Sequence, residues 1–150
     1  MSDYFANKTI VLPFDFSDES KSAIEDALTM AHATTRLCAL HVMLPLNFYI
    51  TPVEPGTILD WGSDEERAKR TLAKMKEQIH FPHHQIECAI KVGDPGLKIV
   101  DYAKKIGADI IVIPSHGQTG VKRMLLGSVS ERVARHAECP VMILRKPPER

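Results

Sequence analysis

Five short apolar runs alternate along this chain with four stretches of helical periodicity, and that alternation restricts the fold more than any other feature. The runs are TIVLPF at 9–14, LCALHVM at 37–43, QIECAIKV at 85–92, DIIVI at 109–113 and VMILR at 141–145. Strands separated by helices of ten or more residues join in parallel, with right-handed crossovers and helices on both faces of one sheet. The first, second and fourth runs are apolar throughout, as strands covered on both faces are. The third alternates, with Ile86, Cys88, Ile90 and Val92 against Gln85, Glu87 and Lys91, which suits a sheet edge.

The helical stretches carry their own start and stop signals. Ser17 can cap a helix whose first turn holds Asp18 and Glu19, with Ala23, Ile24, Ala27, Leu28 and Ala31 as its apolar stripe. Ser63 and Glu66 are spaced as a capping box ahead of Ala68, Leu72, Met75 and Ile79. Asp94 and Pro95 form a cap and first-turn pair, Val100, Ala103 and Ile106 supply the buried face, and Gly107 stops the helix. The last helix is expected over 128–137, where Ser128 and Glu131 again have capping-box spacing.

One domain accounts for residues 1–150, since a chain of this size buries roughly 70% of its unfolded surface without a disulfide or metal. Lys plus Arg and Asp plus Glu are both 19. A formal charge of zero argues against sequence-independent nucleic-acid binding, which needs a basic face. The three cysteines, Cys38, Cys88 and Cys139, are scattered and odd in number, which reads as reduced thiols. No apolar run is long enough to span a bilayer and the first residues lack an apolar signal core, so the expectation is a cytoplasmic protein with no membrane partner.

Open parallel sheets bind ligands beyond the carboxyl ends of their strands, where the strand order reverses. If the first and fourth strands flank that point, Pro13-Phe14-Asp15 faces the glycine-bearing stretch 113–131, IPSHGQTGVKRMLLGSVSE. Asp15 suits a ribose or adenine amino group; the plainer reading is that it orders the turn before Ser17. Gly127-Ser128 precedes a helix whose free N–H groups favour an anion; the plainer reading is a Ser128–Glu131 box that consumes those donors. The stretch is neither a Walker A loop nor a Gly-x-Gly-x-x-Gly fingerprint. His80, His83 and His84 read as an exposed connector rather than a metal site, and Ser115-His116 lacks the Gly-x-Ser-x-Gly elbow of a hydrolase. The apolar connector 44–61 reads as a flap packed over the crevice mouth or on a partner subunit.

The pieces PFDFSDES, LHV, VGDP, SHGQTGVKRMLLGSVSERV and CPVMILR together resemble the universal stress protein family over residues 9–145. The resemblance implies an open five-stranded parallel sheet in order 3-2-1-4-5, of the adenine nucleotide alpha hydrolase-like class. It also implies dimers and, in one branch, ATP bound through Gly-x2-Gly-x9-Gly-Ser/Thr. Pairing Gly117 with Gly120 puts Ser130 at the third glycine. Taking Gly117 as the second glycine places Gly127-Ser128 correctly and Pro114 where the first glycine belongs. Carried over residue by residue, Pro13, Phe14, Asp15 and Val42 would hold adenine and ribose. Ile113, Gly117, Gly127, Ser128, Val129 and Ser130 would hold ribose and phosphates, with Pro114 beside them. Magnesium would accompany ATP. A homodimer would form through Val141, Met142, Ile143 and Leu144, the expected edge strand. No residue set supplies a general base with a metal, so the expected function is non-catalytic ATP binding in a stress response. An interaction module without nucleotide and a slow ATPase are the alternatives.

Overall fold

The computed structural model describes residues 4–45, 62–116 and 126–145. Its elements run β1 (Thr9–Pro13), α1 (Asp18–Met30), β2 (Arg36–Met43), α2 (Asp64–Gln78), β3 (Ile86–Val92), α3 (Pro95–Ile106), β4 (Ile110–Pro114), α4 (Ser128–His136) and β5 (Val141–Leu144). The five strands form one parallel sheet in the order β3-β2-β1-β4-β5, the order the resemblance implies. The connector at 44–61 falls almost wholly outside the described residues, as does Gly117.

Each sheet face has its own core. On the α1 and α2 side, Ile10, Leu12, Phe14, Ile24, Ala39, Met75 and Val112 pack together. On the α3 and α4 side, Val11, Leu40, Ile99, Ile111, Ile113 and Val133 do so. Neighbouring residues of β1, β2 and β4 thus alternate between two apolar layers, which is why those strands read as unbroken apolar runs. In α3 the buried positions are Gly96, Ile99 and Ala103, with Ile106 packed against the core. Of the expected stripe, Ala103 and Ile106 join the core, while Ile99 takes the buried place expected for Val100.

Capping follows the sequence signals in three helices. Ser17 accepts from the Ser20 N–H, Ser63 and Glu66 make a reciprocal box, and Asp94 accepts from the Leu97 N–H. Gly107 adopts φ 67°, the left-handed conformation that ends a helix cheaply only at glycine. Asp94 also binds Arg132 of α4 through both carboxylate oxygens at 2.9 Å, tying the two helices of that face together.

The fourth helix departs from expectation. Its N-cap is Gly127, and among the described residues no side chain caps it. Ser128 is the first helical residue and is exposed, and Glu131 pairs with Arg135 at 2.6 Å one turn on. The Ser128–Glu131 box does not form, because the helix begins at Ser128, one residue earlier than a Ser128 cap needs. The chain is held there by Gly127, whose N–H donates to the Ser115 carbonyl at 2.7 Å.

The sheet splits where strand order reverses. β1 and β4 pair only at Ile10–Ile110 and Val11–Ile111, whereas β1 pairs with β2 over five residues and β4 with β5 over four. Two prolines explain the split. Phe14 donates to Leu40 of β2, so by alternation the nitrogen of Pro13 faces β4. Ile111 and Ser115 donate to Pro140 and Leu144 on the β5 side, so the nitrogen of Pro114 faces β1. Each proline removes the donor that the next bond across this seam requires.

Candidate functional site

The seam opens at the carboxyl ends of the two central strands, the position at which sheets of this topology take ligands. Two turns rim it: 14–17 after β1, and 115–116 after β4, which meets the start of α4.

The first turn is built by Asp15. Its carboxylate accepts from the Ser17 N–H at 3.0 Å and from the Ser17 hydroxyl. Its own N–H is shared with the Ser20 hydroxyl at 3.3 Å. This is the turn-ordering role that spacing suggests for Asp15, and the side chain remains half-buried at the rim. The next residue, Phe16, is held at φ 65°, a region that bulky side chains seldom occupy. Its ring lies 4.9 Å from Phe14 and 4.8 Å, edge-on, from His41. Phe14 is 3% exposed and belongs to the α1 and α2 core, so its ring acts as packing and only its carbonyl reaches the turn.

That carbonyl lies 2.7 Å from His41 Nδ1. A carbonyl can only accept, so Nδ1 carries the proton, and in the neutral ring Nε2 is left as an acceptor. Burial holds the His41 pKa below its usual 6.5 against the opposing pull of the Phe14 carbonyl and Asp15. His41 was not legible as a site residue. It sits inside an apolar strand, and the one available signal was its place near the carboxyl end of a strand adjoining the seam.

The second turn is clamped from both sides. Ser130 is 2% exposed and its hydroxyl donates to the Pro114 carbonyl at 2.7 Å. A Cβ at Gly127 would come within 3.2 Å of the Ser115 carbonyl and 3.5 Å of His116 Cα. Glycine is favoured here by close backbone approach, at an ordinary φ of −69°. Nδ1 of His116 is buried and has no hydrogen-bond partner among the described residues.

The expected site residues divide between the two sides of the sheet. Val42, Ile113 and Val129 pack with the α3 and α4 core, and Phe14 with the opposite one. Pro13, Pro114 and Gly127 are buried around the seam and Ser128 is exposed at its rim. On the α2 side, a cleft of ≈ 400 Å³ is lined by Asp15, Phe16, His41, Met43, Arg67, Arg70, Thr71 and Lys74. Among the described residues no group of histidine, cysteine or carboxylate side chains could hold a metal ion, HFPHHQ included. Nor is any described helix long and apolar enough to cross a membrane.

The comparisons agree with this fold. Universal stress protein MJ0531 of Methanocaldococcus jannaschii is 36% identical over 141 residues, covering 93% of this chain and 83% of that protein. The solved structure of the hypothetical protein MJ0577, from the same organism, superposes with a TM-score of 0.72 at 26% identity, covering 95% of this chain and 99% of the other. A universal stress protein solved in complex with cAMP superposes with a TM-score of 0.57 at 25% identity, covering 91% and 95%. The model of the universal stress protein family matches residues 6–145, and the chain belongs to that family.

Proposed function

We propose that this stress-response protein binds an adenine nucleotide, ATP foremost, in the seam between β1 and β4, without catalysing its turnover. The observation that carries this reading is the start of α4. The helix begins at the mouth of the seam with no side-chain cap among the described residues, and its first N–H groups and the positive end of its dipole suit an anion. A likeness to a structure in complex with cAMP supports the nucleotide class. Asp15 and Val42 then serve the nucleoside end, and Ile113, Pro114, Gly127, Ser128 and Val129 serve ribose and phosphates. Ser130 shapes this end through its bond to Pro114, and Pro13 and Phe14 shape the nucleoside end, Phe14 through its carbonyl on His41. Gly117, outside the described residues, keeps the phosphate role that the motif gives it. Magnesium would arrive with the triphosphate.

Assembly belongs to the same proposal. β5 is the sheet's outer strand, and all four of its residues, Val141, Met142, Ile143 and Leu144, are only half-buried. An apolar edge without charge invites pairing, and two copies would meet there about a two-fold axis. The scattered reduced thiols fit a cytoplasmic setting. Calorimetric titration with ATP, ADP and AMP tests the nucleotide reading. Binding that is weakened by Ser128→Pro, which removes one helix N–H at a position where proline is tolerated, supports it. Absence of binding to wild type at millimolar nucleotide overturns it.

A further inference from the structure

The cleft on the α2 side is a separate feature from the α4 start, and the proposal above leaves most of it unused. Arg67, Arg70 and Lys74 stand three and four residues apart on α2 and so share one helix face, with Thr71 between them. Arg67 is held in place by Asp64 at 2.8 Å and reaches the Leu44 carbonyl at 3.5 Å. Arg70 and Lys74, both exposed, extend the positive face away from it. Across the cleft stand the Phe16 ring, the His41 imidazole, Met43 and the Asp15 carboxylate.

We propose that this cleft binds a phosphate-bearing small molecule with a planar ring, its phosphate on Arg70 and Lys74 and its ring against Phe16. The chemistry of the two walls supports this pairing. Guanidinium and ammonium groups match phosphate oxygens, and the Thr71 hydroxyl adds a donor. The opposite wall offers an aromatic ring and one acceptor, His41 Nε2, which suits an N–H or O–H group of a ring substituent. The volume falls within the usual range for small-molecule sites. Phe16 is a bulky residue held at φ 65°, a cost that persists at ligand clamps when the surroundings enforce it. Here the Asp15–Ser17 turn enforces it.

The test uses calorimetry with phenyl phosphate and inorganic phosphate on the full chain. Wild type should bind phenyl phosphate more tightly than phosphate. The Arg70→Ala/Lys74→Ala double variant should weaken both at least about tenfold, since removing two charge-assisted contacts costs that much or more. Both positions are exposed, so the fold should hold, and circular dichroism checks that. Phe16→Leu should remove the advantage of phenyl phosphate over phosphate. Gly127→Ala, which acts at the seam, should leave phenyl phosphate binding unchanged. Three results would overturn the proposal: no phenyl phosphate binding at millimolar concentration, equal affinity for the two probes, or loss in Gly127→Ala with none in the double variant. The last would put the anion at α4 and leave the nucleotide reading standing. Loss of ATP binding alone would overturn only that reading.

Discussion

The Ser130 hydroxyl donates to the carbonyl oxygen of Pro114 at 2.7 Å, in a fully buried setting. The bond joins the first turn of α4 to the last residue of β4, so the helix start and the open seam are one rigid unit. Motif spacing places Ser130 among the phosphate contacts; the structure commits its proton to the protein instead. Ser130→Ala should therefore cost about 1–2 kcal/mol of stability by urea denaturation, the usual loss for a buried hydrogen bond. Nucleotide affinity should fall only through displacement of α4. A stability equal to wild type with affinity abolished would reverse that assignment.

Gly127 is the tightest point of the same unit. Its φ suits any residue, but a Cβ would press on the Ser115 carbonyl at 3.2 Å. Gly127→Ala should lower stability by about 1 kcal/mol, in the range of small overpacking strains, and weaken ATP at least tenfold. Gly127→Val should lose more of the fold as well as binding, so alanine is the informative variant. Thermal melts alongside the titrations separate the two effects.

In the register that aligns Gly127-Ser128 with the nucleotide-binding pattern, Pro114 stands where the first glycine belongs. Since its nitrogen faces the seam, its ring keeps β1 and β4 apart rather than closing the site. Wild type should bind ATP already, and Pro114→Gly should change the affinity by less than about tenfold, or 1.4 kcal/mol. Binding gained only on Pro114→Gly, measured by calorimetry, would show that the ring blocks the site.

His41 gives a pH signature. Its folded pKa lies below 6.5 because burial disfavours the charged ring. As pH falls below 6.5, the unfolded chain takes up a proton that the folded chain resists. The stability contributed by neutral His41 is therefore present above pH 6.5 and is lost as pH falls toward the folded pKa. Urea midpoints from pH 7.5 to 5.5 should decline in wild type, and the decline should be shallower in His41→Asn. Equal slopes would contradict the account.

Much of this architecture is legible in the sequence because it is written in local chemistry. Ser17, the Ser63–Glu66 pair, Asp94-Pro95 and Gly107 each act within one turn, and each does so as the spacing indicates. The alternation along β3 marks an edge because one of its faces is less covered. What the sequence does not carry is set by contacts between distant elements. The α4 start shifts by one residue because Gly127 is pinned to Ser115, on the other side of the 117–125 stretch. Phe14 and Val42 look like members of one site, yet they pack on opposite faces of the sheet. His41 and the α2 cations share a cleft although about 30 residues separate them. Only the charge spacing on α2 could have been read in advance.

Calorimetric titration of wild-type protein with ATP tests the central claim most directly. An α4 with no side-chain cap among the described residues, beside an open β1–β4 seam, predicts saturable binding with a Kd in the micromolar range, about −8 kcal/mol, and loss of at least tenfold in Gly127→Ala. No heat of binding with ATP, ADP or AMP at millimolar concentration, from protein that melts cooperatively, would contradict it.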